Sequence, residues 1–253
     1  MQLLDVSEGG PVSLVNGQGK SDILLICEHA SRRLPVALGA LGLEPAALEA
    51  HIAWDPGALA VAELLSVALD AALIHQNYSR LAYDCNRPPE ASDAMPAQSE
   101  IFTIPGNVDI DPVVRQARID EIYTPFTDAI AETITERNTA ERRTVLVTIH
   151  SFTPVYKGVA RDVEVGILHD ADARLADQML EHAKRRGQFV TRRNEPYGPA
   201  DGVTHTLKLH GLANGLLNVM IEVRNDLIKD EAGQRVVADF LAGVIRESLS
   251  IPA

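Results

Sequence analysis

Four polar segments of this sequence directly follow apolar stretches that are typical of buried β-strands. They lie at residues 26–31, 83–88, 148–152 and 220–225. Ligands of open α/β sheets gather beyond the carboxyl ends of strands, so polar residues there are more informative than polar residues elsewhere. Two of the segments carry a histidine, His29 and His150, and Glu28 precedes the first of them. Two imidazoles and a carboxylate, with one position left open, are the recurrent ligand set of a catalytic zinc ion. The residue types therefore indicate a metal-dependent hydrolase with one zinc ion.

These polar segments need a sheet to bring them together, and the surrounding pattern predicts one. Short apolar runs predict strands at residues 23–27, 73–76, 81–84, 145–150, 163–168 and 219–223. Between them, residues 57–69 are apolar almost all round, which predicts a buried helix. A longer helical pattern follows Asp111, with Pro125 as a possible kink, and another covers residues 236–245. We expect a single α/β domain with a mixed, mostly parallel central sheet and helices on both faces.

Two stretches fit neither element type. Residues 88–107 are rich in Pro, Ser and Ala, and residues 194–202 hold Gly and Pro around Tyr197. Irregular segments of this length in a compact enzyme are often active-site loops or lids, with disorder as the alternative.

Composition narrows the function classes. The formal net charge of −12 over 253 residues argues against nucleic acid as a partner, but not against a small anionic substrate. No apolar run approaches the roughly 20 residues that span a bilayer, and the first residues lack a secretory pattern. We therefore expect a cytoplasmic protein. Cys27 and Cys85 form no Cys-x-x-Cys pair, which favours two reduced packing residues.

Three of the polar segments resemble those of zinc metallocarboxypeptidases. Residues 150–152 (His-Ser-Phe) are similar to the segment that supplies a zinc histidine, and residues 84–87 (Asp-Cys-Asn-Arg) to one whose arginine binds a substrate carboxylate. Residues 222–224 (Glu-Val-Arg) are similar to the strand that supplies the general base. The order of the segments along the chain matches as well.

The chain resembles the N-formylglutamate amidohydrolase family more closely still. The matching stretches lie in order at residues 27–31, 54–57, 79–88, 194–197 and 221–227. The resemblance implies a zinc carboxypeptidase-like fold and one catalytic domain over residues 1–253. It also implies one Zn²⁺ and hydrolysis of N-formyl-L-glutamate to formate and glutamate.

The resemblance implies that His29 and His150 bind the metal but leaves the third ligand open. Carboxypeptidases use His-x-x-Glu, whereas the third position after His29 is Arg32. We favour Glu28, although neighbouring strand residues point to opposite faces unless the chain bends there. Asp55 is the alternative, and it could instead cap the helix that follows it.

Roles for the other residues follow from the same resemblance. Glu222 would act as general base, and Tyr197 would donate a hydrogen bond to the developing oxyanion. Asp84 would orient His29 by accepting its other ring proton. An ion pair with Arg224 is the structural alternative for Glu222.

The substrate-binding residues would be mainly arginines. Arg87 would bind a substrate carboxylate with Asn86 beside it. Arg80 or Arg224 would bind the second carboxylate of a glutamate-like substrate. His205 and His210 are predicted to be packing or surface residues.

Other functions remain open at this stage. The same residues would suit a deacylase of another N-acyl amino acid or a small-peptide carboxypeptidase. A non-catalytic metal or amino-acid binding protein is a less favoured alternative, because binding alone needs no buried Glu222. A cysteine-dependent amidase using Cys27 or Cys85 is weaker again.

Overall fold

The structure, a computed structural model, describes residues 2–250. Residue 1 and residues 251–253 of the predicted domain lie outside this range. The strands are β1 (Val12–Val15), β2 (Ile23–Cys27), β3 (Ala72–Gln76), β4 (Gln98–Ser99), β5 (Phe102–Thr103), β6 (Val145–Phe152), β7 (Val155–Tyr156), β8 (Val159–Ala160), β9 (Val165–Leu168), β10 (Thr191–Arg193) and β11 (Leu217–Arg224). The helices are α1 (Pro45–Glu49), α2 (Ala58–Leu69), α3 (Pro112–Arg118), α4 (Thr124–Thr139), α5 (Arg174–Arg186) and α6 (Glu231–Leu249).

Seven of these strands form one central sheet in the order β1-β3-β2-β6-β11-β9-β10. Strands β3, β2, β6 and β11 are parallel neighbours, while β1 runs antiparallel to β3, β9 runs antiparallel to β11, and β10 runs parallel to β9. The predicted mixed, mostly parallel sheet is confirmed. Two separate hairpins, β4–β5 and β7–β8, lie outside the sheet.

The sheet is covered on both faces because its central strands are apolar throughout. Along β2, Ile23, Leu25 and Cys27 belong to one core and Leu24 and Ile26 to the other, as the alternation of a strand requires. Residues of α2, α5 and α6 pack in the first core. Residues of α3 and α4 pack in the second. The predicted helices on both faces are confirmed.

One predicted strand is wrong. Residues 81–84 form a buried turn, in which the Ala82 N–H donates to Ser79 O at 2.9 Å and the Asp84 N–H donates to Ala94 O at 2.8 Å. The apolar run in this segment reflects burial of an irregular chain, which periodicity alone does not distinguish from a short strand.

The helix after Asp111 is interrupted before the proline. A π-helical turn, Ile119–Tyr123, separates α3 from α4, and Pro125 lies in the first turn of α4. The chain is helical on both sides of this turn, and Pro125 has no N–H with which to continue a regular α-helical ladder. No helix within residues 2–250 is both long and apolar enough to cross a membrane.

The two irregular stretches are ordered. Residues 88–107 contain the β4–β5 hairpin, and residues 194–202 contain a short 3₁₀ turn, Pro199–Asp201. Cys27 and Cys85 are free and buried, and burial raises the pKa of both thiols well above the usual value. That environment disfavours the thiolate that a cysteine nucleophile requires.

Candidate active site

Three parallel strands end at the same edge of the sheet and bring the predicted residues together. In the β6–β11 register His150 is the partner of Glu222, and in the β2–β6 register Ile26 is the partner of Thr148. His29, two residues beyond β2, therefore reaches the same edge. The turn before α2 joins it there, because the Asp55 N–H donates to His29 O at 2.9 Å.

Side-chain atoms of His29, Asp55 and His150 form a nearly regular triangle. His29 Nδ1 lies 3.2 Å from Asp55 Oδ2, and His150 Nδ1 lies 3.0 Å from the same oxygen. The two Nδ1 atoms are 3.2 Å apart. Ligands of a tetrahedral zinc ion at bond lengths of about 2.0–2.1 Å stand roughly 3.3–3.4 Å from one another. The three atoms thus fit three corners of a tetrahedral cation site.

The opposite nitrogen of each histidine faces a carboxylate. His29 Nε2 lies 2.7 Å from Asp84 Oδ1, and His150 Nε2 lies 3.0 Å from Glu28 Oε2. Asp84 in that position holds the proton of His29 on Nε2 and leaves the lone pair of Nδ1 free for a metal. The Glu28 carboxylate lies at contact distance from His150 Nε2 without the geometry of a hydrogen bond. The donor set therefore suits a cation rather than a hydrogen-bonded cluster of histidines.

Glu28 does not lie where the sequence analysis favoured it. Its carboxylate is buried on the far side of His150, whereas Asp55 is the carboxylate that meets both Nδ1 atoms. Glu28 and His29 lie in a turn that follows β2. This turn directs the Glu28 carboxylate to His150 Nε2 and His29 Nδ1 to Asp55, so the two side chains do not meet at one point.

Asp55 does not cap α2 through its side chain. Gly57 precedes that helix in a left-handed conformation with φ of 81°, and no side-chain cap is made. Asp55 instead uses both carboxylate oxygens at the site. Its Oδ1 accepts from Arg80 Nη1 at 3.1 Å, and its Oδ2 accepts from the Ser151 N–H at 3.2 Å. Burial alone would raise the pKa of Asp55, but His29, His150 and Arg80 outweigh it and lower the pKa well below the usual value.

Glu222 enters the same space from β11. It is buried, and its Oε2 has no hydrogen-bond partner among residues 2–250. Burial, with a smaller effect of the Asp55 carboxylate, raises the pKa of Glu222 to about 7. A carboxyl group with such a pKa can accept and return a proton near neutral pH.

A cavity of about 420 Å³ opens onto these side chains. Its volume falls in the range of small-molecule sites. The predicted site residues that line it are His29, Asp55, Arg80, Asn86, Arg87, His150, Tyr197 and Glu222. Loops from both irregular stretches contribute to its wall, Ser99 and Glu100 from the first and Pro196 and Asp201 from the second.

The sequence pattern of the N-formylglutamate amidohydrolase family matches residues 21–229. The chain belongs to this family. No curated protein matches it. The crystal structure of gene product Atu2144 from Agrobacterium tumefaciens is similar over 98% of both chains, with 55% identity and a TM-score of 0.97. N-formylglutamate amidohydrolase from Ralstonia eutropha JMP134 shares the fold at 18% identity, with a TM-score of 0.68 over 95% of this chain and 97% of that one.

Membership of this family makes the protein an amidohydrolase. Two arginines that line its cavity, Arg80 and Arg87, already contact carboxylates of the protein. Arg80 pairs with Asp55, and its Nη2 lies 3.7 Å from Asp84 Oδ2. Arg87 donates from Nε to Asp93 Oδ2 at 2.7 Å. Both arginines therefore face the cavity with at least one carboxylate already in contact.

Two predicted substrate contacts have other partners in this amidohydrolase. Asn86 Nδ2 donates to Val203 O at 2.6 Å, and its Oδ1 accepts from the Thr206 N–H at 3.1 Å, which ties its loop to residues 203–206. Arg224 lies outside the cavity wall and pairs with Asp226 and Glu164 instead of Glu222. The proposed Glu222–Arg224 ion pair is therefore not formed.

The sequence analysis missed three residues of the cavity wall, His51, Tyr156 and Arg161. His51 Nε2 donates to Ser151 O at 2.7 Å and lies 3.5 Å from Asp55 Oδ1. Arg161 follows the β7–β8 hairpin, which the apolar periodicity of the sequence did not predict. None of the three follows an apolar strand, whereas a position at the end of an apolar run was the signal for His29, His150 and Glu222.

The two other histidines considered in the sequence, His205 and His210, lie outside the cavity wall. The Tyr123 hydroxyl and His205 Nε2 are 2.9 Å apart. His210 is buried in a π-helical turn, Leu207–Gly211, and burial lowers its pKa to about 4. Neither histidine lines the cavity, as the prediction of packing residues requires.

Proposed function

We propose that this amidohydrolase is metal-dependent and that it hydrolyses N-formyl-L-glutamate to formate and glutamate. The observation that carries the proposal is the triangle of His29 Nδ1, Asp55 Oδ2 and His150 Nδ1, with Glu222 on the same cavity. Three protein ligands with an open fourth position are typical of catalytic rather than structural zinc. Membership of the family supplies the amide-cleaving reaction and the N-formylglutamate substrate class.

His29, Asp55 and His150 would hold the cation, and Asp84 and Glu28 would keep the two imidazoles in the ligating tautomer. Zn²⁺ in such a site supplies Lewis acidity, which lowers the pKa of a water molecule and polarises an acyl oxygen. Zinc is preferred from the ligand types, since two imidazole nitrogens and one carboxylate suit it.

Glu222 carries the proton in this mechanism. As a carboxylate it accepts a proton from the attacking water, and the water oxygen bonds to the acyl carbon. When the C–N bond breaks, the carboxylic acid of Glu222 returns that proton to the departing nitrogen. The products are the carboxylate of the acyl group and the free amino acid.

Tyr197, which lines the same cavity, would donate to the negative charge that develops on the acyl oxygen. Burial, with a smaller effect of Glu222, raises the pKa of Tyr197 to about 12, so its hydroxyl keeps its proton at neutral pH. The hydroxyl oxygen accepts from Arg161 Nη2 at 3.1 Å, which leaves its own proton free.

Arg87 would bind the first carboxylate of the substrate. Its Nε and Nη1 are used by Asp93 and by the Asn86 carbonyl, which fixes the plane of the guanidinium at the cavity wall. Its remaining N–H groups are available for a carboxylate.

Metal content and formate release test the proposal together. Purified protein is assayed by elemental analysis, and N-formyl-L-glutamate, N-acetyl-L-glutamate, N-formyl-L-methionine and a dipeptide are compared as substrates. We expect about one zinc per chain, formate release that a chelator abolishes and added zinc restores, and a preference for the formyl diacid. Full activity in the metal-free protein would contradict metal dependence, and preference for the dipeptide would favour a carboxypeptidase.

A further inference from the structure

The arginines of the cavity wall differ in how much of their charge is already neutralised. Arg80 contacts two carboxylates, those of Asp55 and Asp84, and Arg87 contacts that of Asp93. Arg161 also lines the cavity, yet no acidic side chain among residues 2–250 lies within ion-pairing distance of it. An arginine without a counter-ion on a cavity wall is suited to an anion from outside the chain.

Aromatic rings fix the guanidinium of Arg161 in place. Its carbon lies 4.6 Å from the ring centre of Tyr156, 4.9 Å from that of Tyr197 and 5.5 Å from that of Phe152. Rings against the faces of a guanidinium leave its N–H donors free in the plane. They also exclude water, which strengthens an ion pair formed at the edge.

All three hydrogen bonds of the Arg161 guanidinium are to neutral oxygens. Nη1 donates to Thr153 O at 3.2 Å and to Thr153 Oγ1 at 3.5 Å, and Nη2 donates to Tyr197 Oη at 3.1 Å. These bonds hold the plane of the guanidinium without neutralising it. A guanidinium has five N–H donors, so donors remain for a carboxylate.

We propose that Arg161 binds the second carboxylate of a dicarboxylic N-acyl amino acid and so makes the enzyme selective for acidic over neutral substrates. The inference rests on the proposed function, in which Arg87 binds the first carboxylate. Of the two arginines that the sequence suggested for this role, Arg224 lies outside the cavity wall, and Arg80 already contacts two carboxylates where Arg87 contacts one.

A purely structural role for Arg161 makes a different prediction. If the side chain only holds Tyr197, its loss lowers kcat for dicarboxylate and monocarboxylate substrates alike. If it binds a substrate carboxylate, its loss raises KM for the diacid alone. The comparison of N-formyl-L-glutamate with N-formyl-L-glutamine separates the two, because the substrates differ only in the charge of one terminal group.

The test compares wild type, Arg161→Gln, Arg161→Lys and, as a matched control, Arg235→Gln, an exposed arginine of α6 outside the cavity. In Arg161→Gln we expect kcat/KM for N-formyl-L-glutamate to fall about 10- to 100-fold, mainly through KM. The value for N-formyl-L-glutamine should fall much less, because only the contact of Arg161 with Tyr197 is lost for that substrate. Arg161→Lys should recover part of the preference, and Arg235→Gln should match the wild type. An equal loss on both substrates would overturn the proposal.

A binding measurement gives a second readout that does not depend on turnover. Calorimetry with glutarate and with its monoamide should show tighter binding of glutarate by the wild type, with the difference lost in Arg161→Gln. A glutarate preference that survives the substitution, or its absence in the wild type, would overturn the assignment of Arg161. Absence of any amide hydrolysis alongside an Arg161-dependent glutarate preference would instead overturn the proposed function.

Discussion

Glu222 on β11 lies directly opposite His150 on the parallel strand β6, and both side chains open onto the same cavity. Adjacent parallel strands place register partners side by side at the same level of the sheet. The backbone ladder thereby sets the distance between the proposed base and a proposed metal ligand, without help from a flexible loop. Such a site is rigid, and substitutions in it should report on chemistry more than on mobility.

The first prediction concerns the proton carrier. Glu222→Gln keeps the size of the side chain but removes its basicity, so we expect kcat to fall about 10²- to 10⁴-fold. Metal content should not change, because Glu222 is not part of the triangle. Formate release measures the activity, and elemental analysis of the same preparation measures the metal content. Activity within a few-fold of the wild type would remove Glu222 from the mechanism.

The second prediction separates the two carboxylates that compete for the third ligand position. Asp55→Asn should lose metal during dialysis, since a neutral amide replaces the charged ligand. Glu28→Gln should keep a metal ion, with affinity lowered by about 10- to 100-fold, as expected for a group that orients a ligating histidine. Chelator competition measures both affinities. If Glu28→Gln lost the metal and Asp55→Asn kept it, Glu28 would be the ligand.

The third prediction is a pH dependence of stability caused by His210. Burial lowers its folded-state pKa to about 4, below the value near 6.5 of the unfolded chain. As pH falls from 6.5 towards 4, the unfolded state binds a proton that the folded state does not. The free energy of unfolding should therefore decrease over this range, by at most about 3 kcal/mol.

His210→Gln should flatten that part of the stability profile. Denaturant unfolding of both proteins from pH 7.5 to pH 4 measures the difference, in which contributions of other groups cancel. Parallel profiles for the two proteins would show that His210 titrates normally in the folded state.

The fourth prediction concerns the glycine between Asp55 and α2. Gly57 has φ of 81°, and a Cβ there would lie 2.5 Å from Ile228 O. Gly215 has a similar φ of 65°, with nothing within 4 Å of such a Cβ. Gly57→Ala should therefore destabilise the protein by at least about 2 kcal/mol more than Gly215→Ala, since only the first adds a clash to the backbone strain. Thermal unfolding of both variants tests this, and equal losses would contradict it.

Much of the site was predictable because strand ends carry a local signature. His29 follows β2, His150 and Glu222 lie near the carboxyl ends of β6 and β11, and a parallel sheet collects such positions at one edge. The fold class followed from the same alternation of apolar runs and helical patterns. These features depend on residues close together in the sequence.

The features that the sequence left open, predicted wrongly or missed depend on distant contacts. Asp55, the alternative to Glu28, meets both Nδ1 atoms because its turn is hydrogen-bonded to His29 O, which no local pattern encodes. The strand predicted at residues 81–84 is a turn because its partners are Ser79 and Ala94 instead of a neighbouring strand. Arg161 lies beside the β7–β8 hairpin, which is outside the central sheet. Neither a hydrophobic periodicity nor the end of a predicted strand therefore pointed to it.

The three atoms of the triangle come from residues 29, 55 and 150, which are far apart along the chain and adjacent only after the sheet has assembled. An unfolded chain offers no such arrangement, so a cation would bind almost exclusively to the native state. Any ligand of that kind shifts the folding equilibrium by mass action. Under the proposed assignment, the amount of folded protein in a cell would follow the supply of free zinc, and scarcity of the metal would lower abundance as well as activity.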